Sequence, residues 1–192
     1  MGEIESGVVS RESIANRIYK MTLHEFNILP KQQLIEEMTK CCGSSSWVNR
    51  MLPFVPADDM IELLEDAEEQ WWQCSEEDWK EAFGHHPRIG DLESLTRKFA
   101  STAHPIAIGW ASGEQSEVSI ASKETIEALA ECNRLYEEKF GYIFIVCATG
   151  KSAEEMLEML RSRSENKPEE EIKIAADEQN KITKLRIEKL LD

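Results

Sequence analysis

Tyr142-Ile143-Phe144-Ile145-Val146-Cys147 is the single run in this 192-residue chain dense enough in β-branched and aromatic residues to read as a strand. A lone strand has no neighbour to complete its ladder. The run therefore predicts an all-α fold, a single compact multi-helix domain with one short extended buried segment near 142–148. The backbone N–H and C=O groups of such a segment are not satisfied within a helix, so they must find side chains or a ligand.

Elsewhere apolar residues recur at helical spacing. Thr22 opens a short helical piece, and Pro30 suits the first turn of the next, where Leu34, Met38 and Cys41 recur until Gly43 supplies a stop. Ser44-Ser45-Ser46 precede a turn around Trp47 and Met51, broken by Pro53 and Pro56. From Ala57 to about Gln73, Met60, Ile61, Leu64, Ala67 and Trp71 are expected on one face, with Glu62, Glu65, Asp66 and Glu69 on the other. Ser75 followed by Asp78 resembles a capping box for a helix that turns Trp79, Ala82 and Phe83 inward and ends at Gly84. Leu92, Leu95 and Phe99 suggest another helix. Ser122 starts a long one through Ile126, Leu129, Tyr136 and Phe140, terminated by Gly141. After Thr149-Gly150 comes a helix with Met156, Leu157, Met159 and Leu160, and Pro168 opens the last, its Glu169-Glu170-Glu171 run read as first-turn acids. Residues 1–20 are read as a leader or first helix and 21–192 as the helical domain.

Composition removes several classes of function. Twenty-two basic against 37 acidic residues give a net charge of −15, the wrong sign for a nucleic-acid partner. That field repels anions at long range, so a site for an anionic small molecule must gather its positive groups locally, with Arg88 and Arg186 as candidates. No apolar run approaches the roughly 20 residues of a membrane span. Five cysteines without a Cys-x-x-Cys pair argue for reduced thiols over disulfides or a zinc site. Met1 to Arg17 lack an apolar signal core and Leu190-Leu191-Asp192 is not a peroxisomal tripeptide, so the expected compartment is the cytoplasm.

The chemistry-bearing residues concentrate around Phe83-Gly84-His85-His86-Pro87-Arg88-Ile89-Gly90-Asp91. Pro87 pushes His86 out of helical geometry, presenting an imidazole at a rigid corner, either as a proton-transfer group or simply as a helix cap. On a wheel of the last helix, Ile172, Ala175, Ala176, Gln179, Thr183, Arg186 and Leu190 share one arc, so Arg186 lies on the apolar side. It is either an anion clamp or a guanidinium paired within the structure. Glu114, at a loop-to-helix boundary, suits a first-turn carboxylate or a catalytic one. A metal set from His85, His86, Asp91, His104 and Glu114 has no supporting spacing, so no metal is expected. Cys147 lies in an apolar run that would hide a nucleophile and raise its pKa.

His86-Pro87-Arg88-Ile89-Gly90, Ser112-Gly113-Glu114-Gln115, Phe140-Gly141-Tyr142-Ile143-Phe144-Ile145-Val146-Cys147-Ala148 and Lys181-Ile182-Thr183-Lys184-Leu185-Arg186, in this order, resemble the OHCU decarboxylases of urate degradation. The resemblance covers residues 22 to 191. It implies an all-α homodimer without metal or organic cofactor that converts 2-oxo-4-hydroxy-4-carboxy-5-ureidoimidazoline to (S)-allantoin and carbon dioxide. It further implies that His86 is the acid-base residue and that Pro87 lines the pocket. A Ser-x-x-Glu-Gln segment maps to Ala111, Ser112, Gly113, Glu114 and Gln115, with Glu114 catalytic. Val146, Cys147, Ala148, Thr149 and Gly150 contact substrate, and Arg186 is the final-helix arginine. Ala111 departs from the family's serine. The longer connection from His86 to Glu114 is a second departure, and some plant relatives carry a transthyretin-like domain after this one.

In that setting Arg186 would anchor an anionic group and His86 with Glu114 would manage protons. Backbone N–H groups at 146–150 would stabilise the oxyanion left by the departing carboxylate. Two other functions fit the same residues: a ureide hydrolase using His86 and Glu114, and a non-catalytic helical dimerisation module.

Overall fold

Among the described residues, five helices begin at a side chain that takes up a free first-turn N–H. The computed structural model describes residues 21–86 and 123–191. Thr22 and Glu25 form a reciprocal capping box for α1 (Leu23–Asn27). Helix α2 (Lys31–Cys41) follows Pro30, and α3 (Ser45–Met51) is capped by the Ser44 hydroxyl. A 3-10 turn (Leu52–Phe54) leads to α4 (Met60–Trp72), capped by Asp59. Ser75 and Asp78 form the expected box for α5 (Glu76–Gly84). Helix α6 (Lys123–Phe140) is followed by α7 (Ala153–Ser164), opened by a Ser152–Glu155 box, and by α8 (Pro168–Leu190). The helices expected around Leu92–Phe99 and in residues 1–20 lie outside the described residues.

Helix α8 is the axis of the molecule. It packs against α2, α4 and α5, while α6 lies along α7. The buried arc of α8 contains Ile172, Ala175, Ala176, Gln179 and Thr183, as the wheel predicts, with Arg186 half-buried at its far end. Small residues at 175 and 176 allow close approach, and the Trp71 indole N–H donates to the Ala176 carbonyl at 2.8 Å. Two further indoles stitch the adjacent layer: Trp47 to the Ala67 carbonyl at 2.9 Å and Trp79 to the Trp71 carbonyl at 3.1 Å. Each buried ring thus keeps its apolar area out of water without stranding its donor.

Helix α4 differs from expectation in phase. Its buried side chains are Leu63, Ala67, Gln70 and Trp71, whereas Ile61 is 68% exposed and Met60 and Leu64 are only half-buried. Residues 63, 67 and 71 follow an i, i+4, i+8 stripe, and Ile61 falls about 120° from the centre of that stripe. Ile61 is apolar but outward, so it drew the expected face away from the true one.

The Tyr142–Cys147 run is extended, and no strand pairs with it among the described residues. Gly141 (φ 78°) makes the left-handed turn out of α6 that lets it start. Tyr142, Phe144, Ile145 and Val146 are buried, and Phe83, Tyr136 and Phe140 surround Tyr142 with ring centroids 5.3–6.1 Å away. The backbone is held by charged side chains. Arg163 donates to the Ile145 carbonyl at 2.8 Å, Glu178 accepts the Cys147 N–H at 2.7 Å, and Lys151 donates to the Cys147 carbonyl at 2.7 Å.

Arg163 is itself held by Glu171. The guanidinium approaches Glu171 Oε1 at 2.8 and 2.5 Å and stacks 4.5 Å from the Phe144 ring centroid. Tyr136 donates to the same oxygen, and Asn166 donates to Oε2 at 2.7 Å. Burial, followed by the bond to Glu171, pushes the Tyr136 phenol well above its ordinary pKa, so it stays a donor. Glu171 is fully buried. It lies in the first turn of α8, as its acidic run suggested, but its main work is pairing a cation in the core, which composition alone cannot distinguish from dipole compensation. Replacing Arg163 with Met or Glu171 with Gln is expected to lower the unfolding free energy by about 3–5 kcal/mol, because each strands a buried partner. The double variant should lose less than the sum of the two, measured as urea midpoints at constant m-value.

Candidate active site

The α5 terminus sets the position of His86. The His85 and His86 N–H groups donate to the Ala82 and Phe83 carbonyls at 3.1 Å each, so both imidazoles leave from a closed final turn. His85 is exposed and packs across Gly43, where an added Cβ would stand 2.3 Å from the imidazole Cγ and 2.4 Å from Cβ. Gly43 therefore does a different job from the helix stop predicted. Helix α2 ends on Cys42 in extended conformation (φ −137°), and the missing side chain at 43 makes room for the His85–His86 corner.

His86 turns toward α8, where its Nε2 lies 2.6 Å from Gln179 Oε1. Gln179 is fully buried, and its amide nitrogen donates to Thr183 Oγ1 at 3.1 Å. Thr183 in turn lies beside the buried Cys42 thiol in the core. One turn further, Arg186 Nη1 donates to the Cys41 and Lys40 carbonyls at 3.2 and 3.4 Å. Among the described residues its partners are thus carbonyls at the negative end of the α2 dipole and not an acid from another helix. Gln179, Thr183 and Arg186 stand at i, i+4 and i+7, so His86 and Arg186 meet one stripe of α8 about 10 Å apart along its axis.

The 146–150 segment reaches the same helix. Glu178, the neighbour of Gln179, accepts the Cys147 N–H, and Lys181 donates to Glu178 at 2.6 Å and pairs with Asp177 at 2.7 Å. The Cys147 N–H is consequently spent within the protein and is not an oxyanion donor, contrary to expectation. Cys147 is half-buried and less hidden than its apolar neighbours suggested. Val146 is buried, Ala148 half-buried, and Thr149 and Gly150 are exposed at a turn with Gly150 at φ 77°.

Of the predicted site, Arg186 lies on α8, and His86 and Cys147 each bond to a side chain of α8. Pro87, Ala111, Ser112, Gly113, Glu114 and Gln115 lie outside the described residues, as do Arg88, Asp91 and His104. Two surface hollows lie elsewhere. One of about 550 Å³ is lined by Glu154, Leu157 and Arg161, and one of about 430 Å³ by Met60, Leu185 and Leu191. Among the described residues no three His, Cys, Asp or Glu side chains group to hold a metal ion. Glu178 and Lys151 were missed as parts of the site and Gln179 was noted only for its place on the arc. The available signal was the run of five polar residues Asp177-Glu178-Gln179-Asn180-Lys181, which crosses the apolar arc of the helix at Gln179.

A family model described as OHCU decarboxylase matches residues 27–188. The uric acid degradation bifunctional protein TTL of Arabidopsis thaliana is 39% identical over 158 residues, covering 81% of this chain, and the chain spans 46% of that relative's length. The 2-oxo-4-hydroxy-4-carboxy-5-ureidoimidazoline decarboxylase of Haloferax volcanii is 24% identical over 88% of this chain and 96% of its own. A crystal structure of an OHCU decarboxylase in the presence of (S)-allantoin superposes with a TM-score of 0.64 at 38% identity, over 81% of this chain and 96% of the other.

The thiols beside the α8 stripe are chemically quiet. Burial pushes Cys41 and Cys42 up to about 12 and Cys74 up to about 11, the Cys41 shift partly offset by Arg186. An aromatic disulfide reagent at pH 8 is therefore expected to label Cys132 and Cys147 in the native protein and the other three only after denaturation. Thiol titration with peptide mapping checks this.

Proposed function

Since this chain belongs to the OHCU decarboxylase family, whose model spans residues 27–188, we propose that it removes carbon dioxide from 2-oxo-4-hydroxy-4-carboxy-5-ureidoimidazoline to give (S)-allantoin. The observation that carries the reading is the α8 stripe, on which Gln179, bonded to the His86 imidazole, and Arg186 stand about 10 Å apart along the axis. Arg186 keeps donors beyond those given to the α2 carbonyls, and a guanidinium binds a carboxylate or a ring oxygen in a fixed plane. In a protein of net charge −15 it supplies the local positive potential that an anionic substrate needs.

His86 takes the proton-transfer role, shared with Glu114. The substrate hydroxyl proton is removed, the carboxylate leaves, and its electron pair is delocalised into the imidazolone ring before carbon is protonated on one face. Val146, Ala148, Thr149 and Gly150 line the substrate on the loop side, with backbone N–H groups other than that of Cys147 available to the developing oxyanion. Pro87 and the segment Ala111-Ser112-Gly113-Glu114-Gln115 complete the pocket. The decarboxylase unit is residues 21–192, with 1–20 a leader or first helix.

The unit is proposed to work as a homodimer in the cytoplasm. Exposed Ile28, Ile61, Trp72, Leu135 and Ile174 offer apolar surface for a second copy, and the five free cysteines suit a reducing compartment. Among the described residues no helix is long and apolar enough to cross a membrane.

The test mixes protein with freshly generated substrate and follows optical activity. Wild type is expected to accelerate formation of (S)-allantoin, and failure to do so overturns the reading. His86→Ala is expected to lower kcat by on the order of 10²–10⁴-fold. Arg186→Gln is expected to raise KM with little change in kcat, because an anchor acts on bound substrate and transition state alike.

A further inference from the structure

We propose that Gln179 is the positioning residue for His86: its amide fixes the imidazole as the Nε2–H tautomer and sets the plane of the ring. The amide has little freedom of its own. Gln179 is fully buried on α8, and its two polar atoms are divided between two partners, the oxygen 2.6 Å from His86 Nε2 and the nitrogen 3.1 Å from Thr183 Oγ1. With the amide nitrogen donating to Thr183, the oxygen that faces His86 can only accept, so Nε2 carries the proton and Nδ1 is the lone-pair nitrogen of the neutral ring. Burial pushes the Cys42 thiol beside Thr183 up to about 12, so that neighbour does not change charge near neutrality.

The placement favours orientation over mere packing. An apolar side chain at 179 would fill the same position on the buried arc between Ala175, Ala176 and Thr183. An amide there is useful because it is directional, and a helix delivers that direction more rigidly than a loop. The opposite face of the same corner is set by His85 against Gly43. The ring of His86 is thereby held from its backbone and from its outer nitrogen at once. The catalytic consequence rests on the decarboxylase reading above, whereas the tautomer does not.

The experiment records long-range ¹⁵N–¹H imidazole spectra of the full chain, with the His86 signals assigned by their loss in His86→Asn. Wild type is expected to show the Nε2–H pattern. Gln179→Met, close in volume and without an acceptor, is expected to move His86 to a mixture of tautomers. It should lower kcat by about 10-fold or more and leave KM within about twofold, since binding does not depend on which nitrogen holds the proton. Gln179→Glu, which restores an oxygen at that point, should recover the Nε2–H pattern and most of kcat. If Gln179→Met does not fold, Thr183→Val, which releases the amide, should move the tautomer balance in the same direction by a smaller amount.

An Nδ1–H ring in wild type, or an unchanged tautomer in Gln179→Met, overturns the proposal. A tautomer governed by Gln179 in a protein that does not accelerate loss of carbon dioxide supports this inference and overturns the decarboxylase reading instead.

Discussion

The ion pair between Arg163 and Glu171 is the constraint on which the rest of the molecule depends. A chain of helices can absorb an extended, apolar segment only if the backbone groups of that segment are answered from outside it, and one guanidinium does so at Ile145 while covering Phe144. Burying that guanidinium requires an anion, and Glu171 provides it from the first turn of α8 with Tyr136 and Asn166 completing its bonds. The first turn of α8 is thereby tied to α7, α6 and the extended segment together. Everything farther along α8, including the residues that reach His86 and the 146–150 loop, starts from that fixed end.

Much of the architecture was legible because its signals are local. Thr22 with Glu25 and Ser75 with Asp78 announce helix starts within four residues, and Gly141 announces an end. The Tyr142–Cys147 run was legible as extended and buried because no second strand-forming segment exists to pair with it. What failed depended on distant partners. Ile61 is apolar yet faces outward, since the phase of α4 follows where Trp71 and Ala67 must go. Gly43 looked like a terminator, but its role is steric and belongs to His85, 42 residues away in sequence.

The candidate site divides along the same line. His86 could be singled out from its proline neighbour and Arg186 from its place on an apolar arc, both short-range arguments. Glu178 and Lys151 were not singled out, and Gln179 only for sharing the apolar arc, because nothing near them in sequence says what they hold. Glu178 and Gln179 read as ordinary helix residues until the fold places the Cys147 N–H against one and the His86 ring against the other. That two adjacent residues serve two separate parts of the site is a product of tertiary structure alone.

Because His86 and Arg186 are both referenced to a single α-helix, the span between their anchors is quantised. The shortest possible change of spacing on α8 is one residue, which moves the guanidinium by about 1.5 Å and swings it by about 100° around the axis, away from the stripe. Small adjustments in ligand length are thus closed to substitution or drift in this segment, and only a jump of three or four residues returns the arginine to a comparable bearing. A helix used as a ruler in this way ties the size of an acceptable ligand to backbone geometry, leaving the loops to tune its shape.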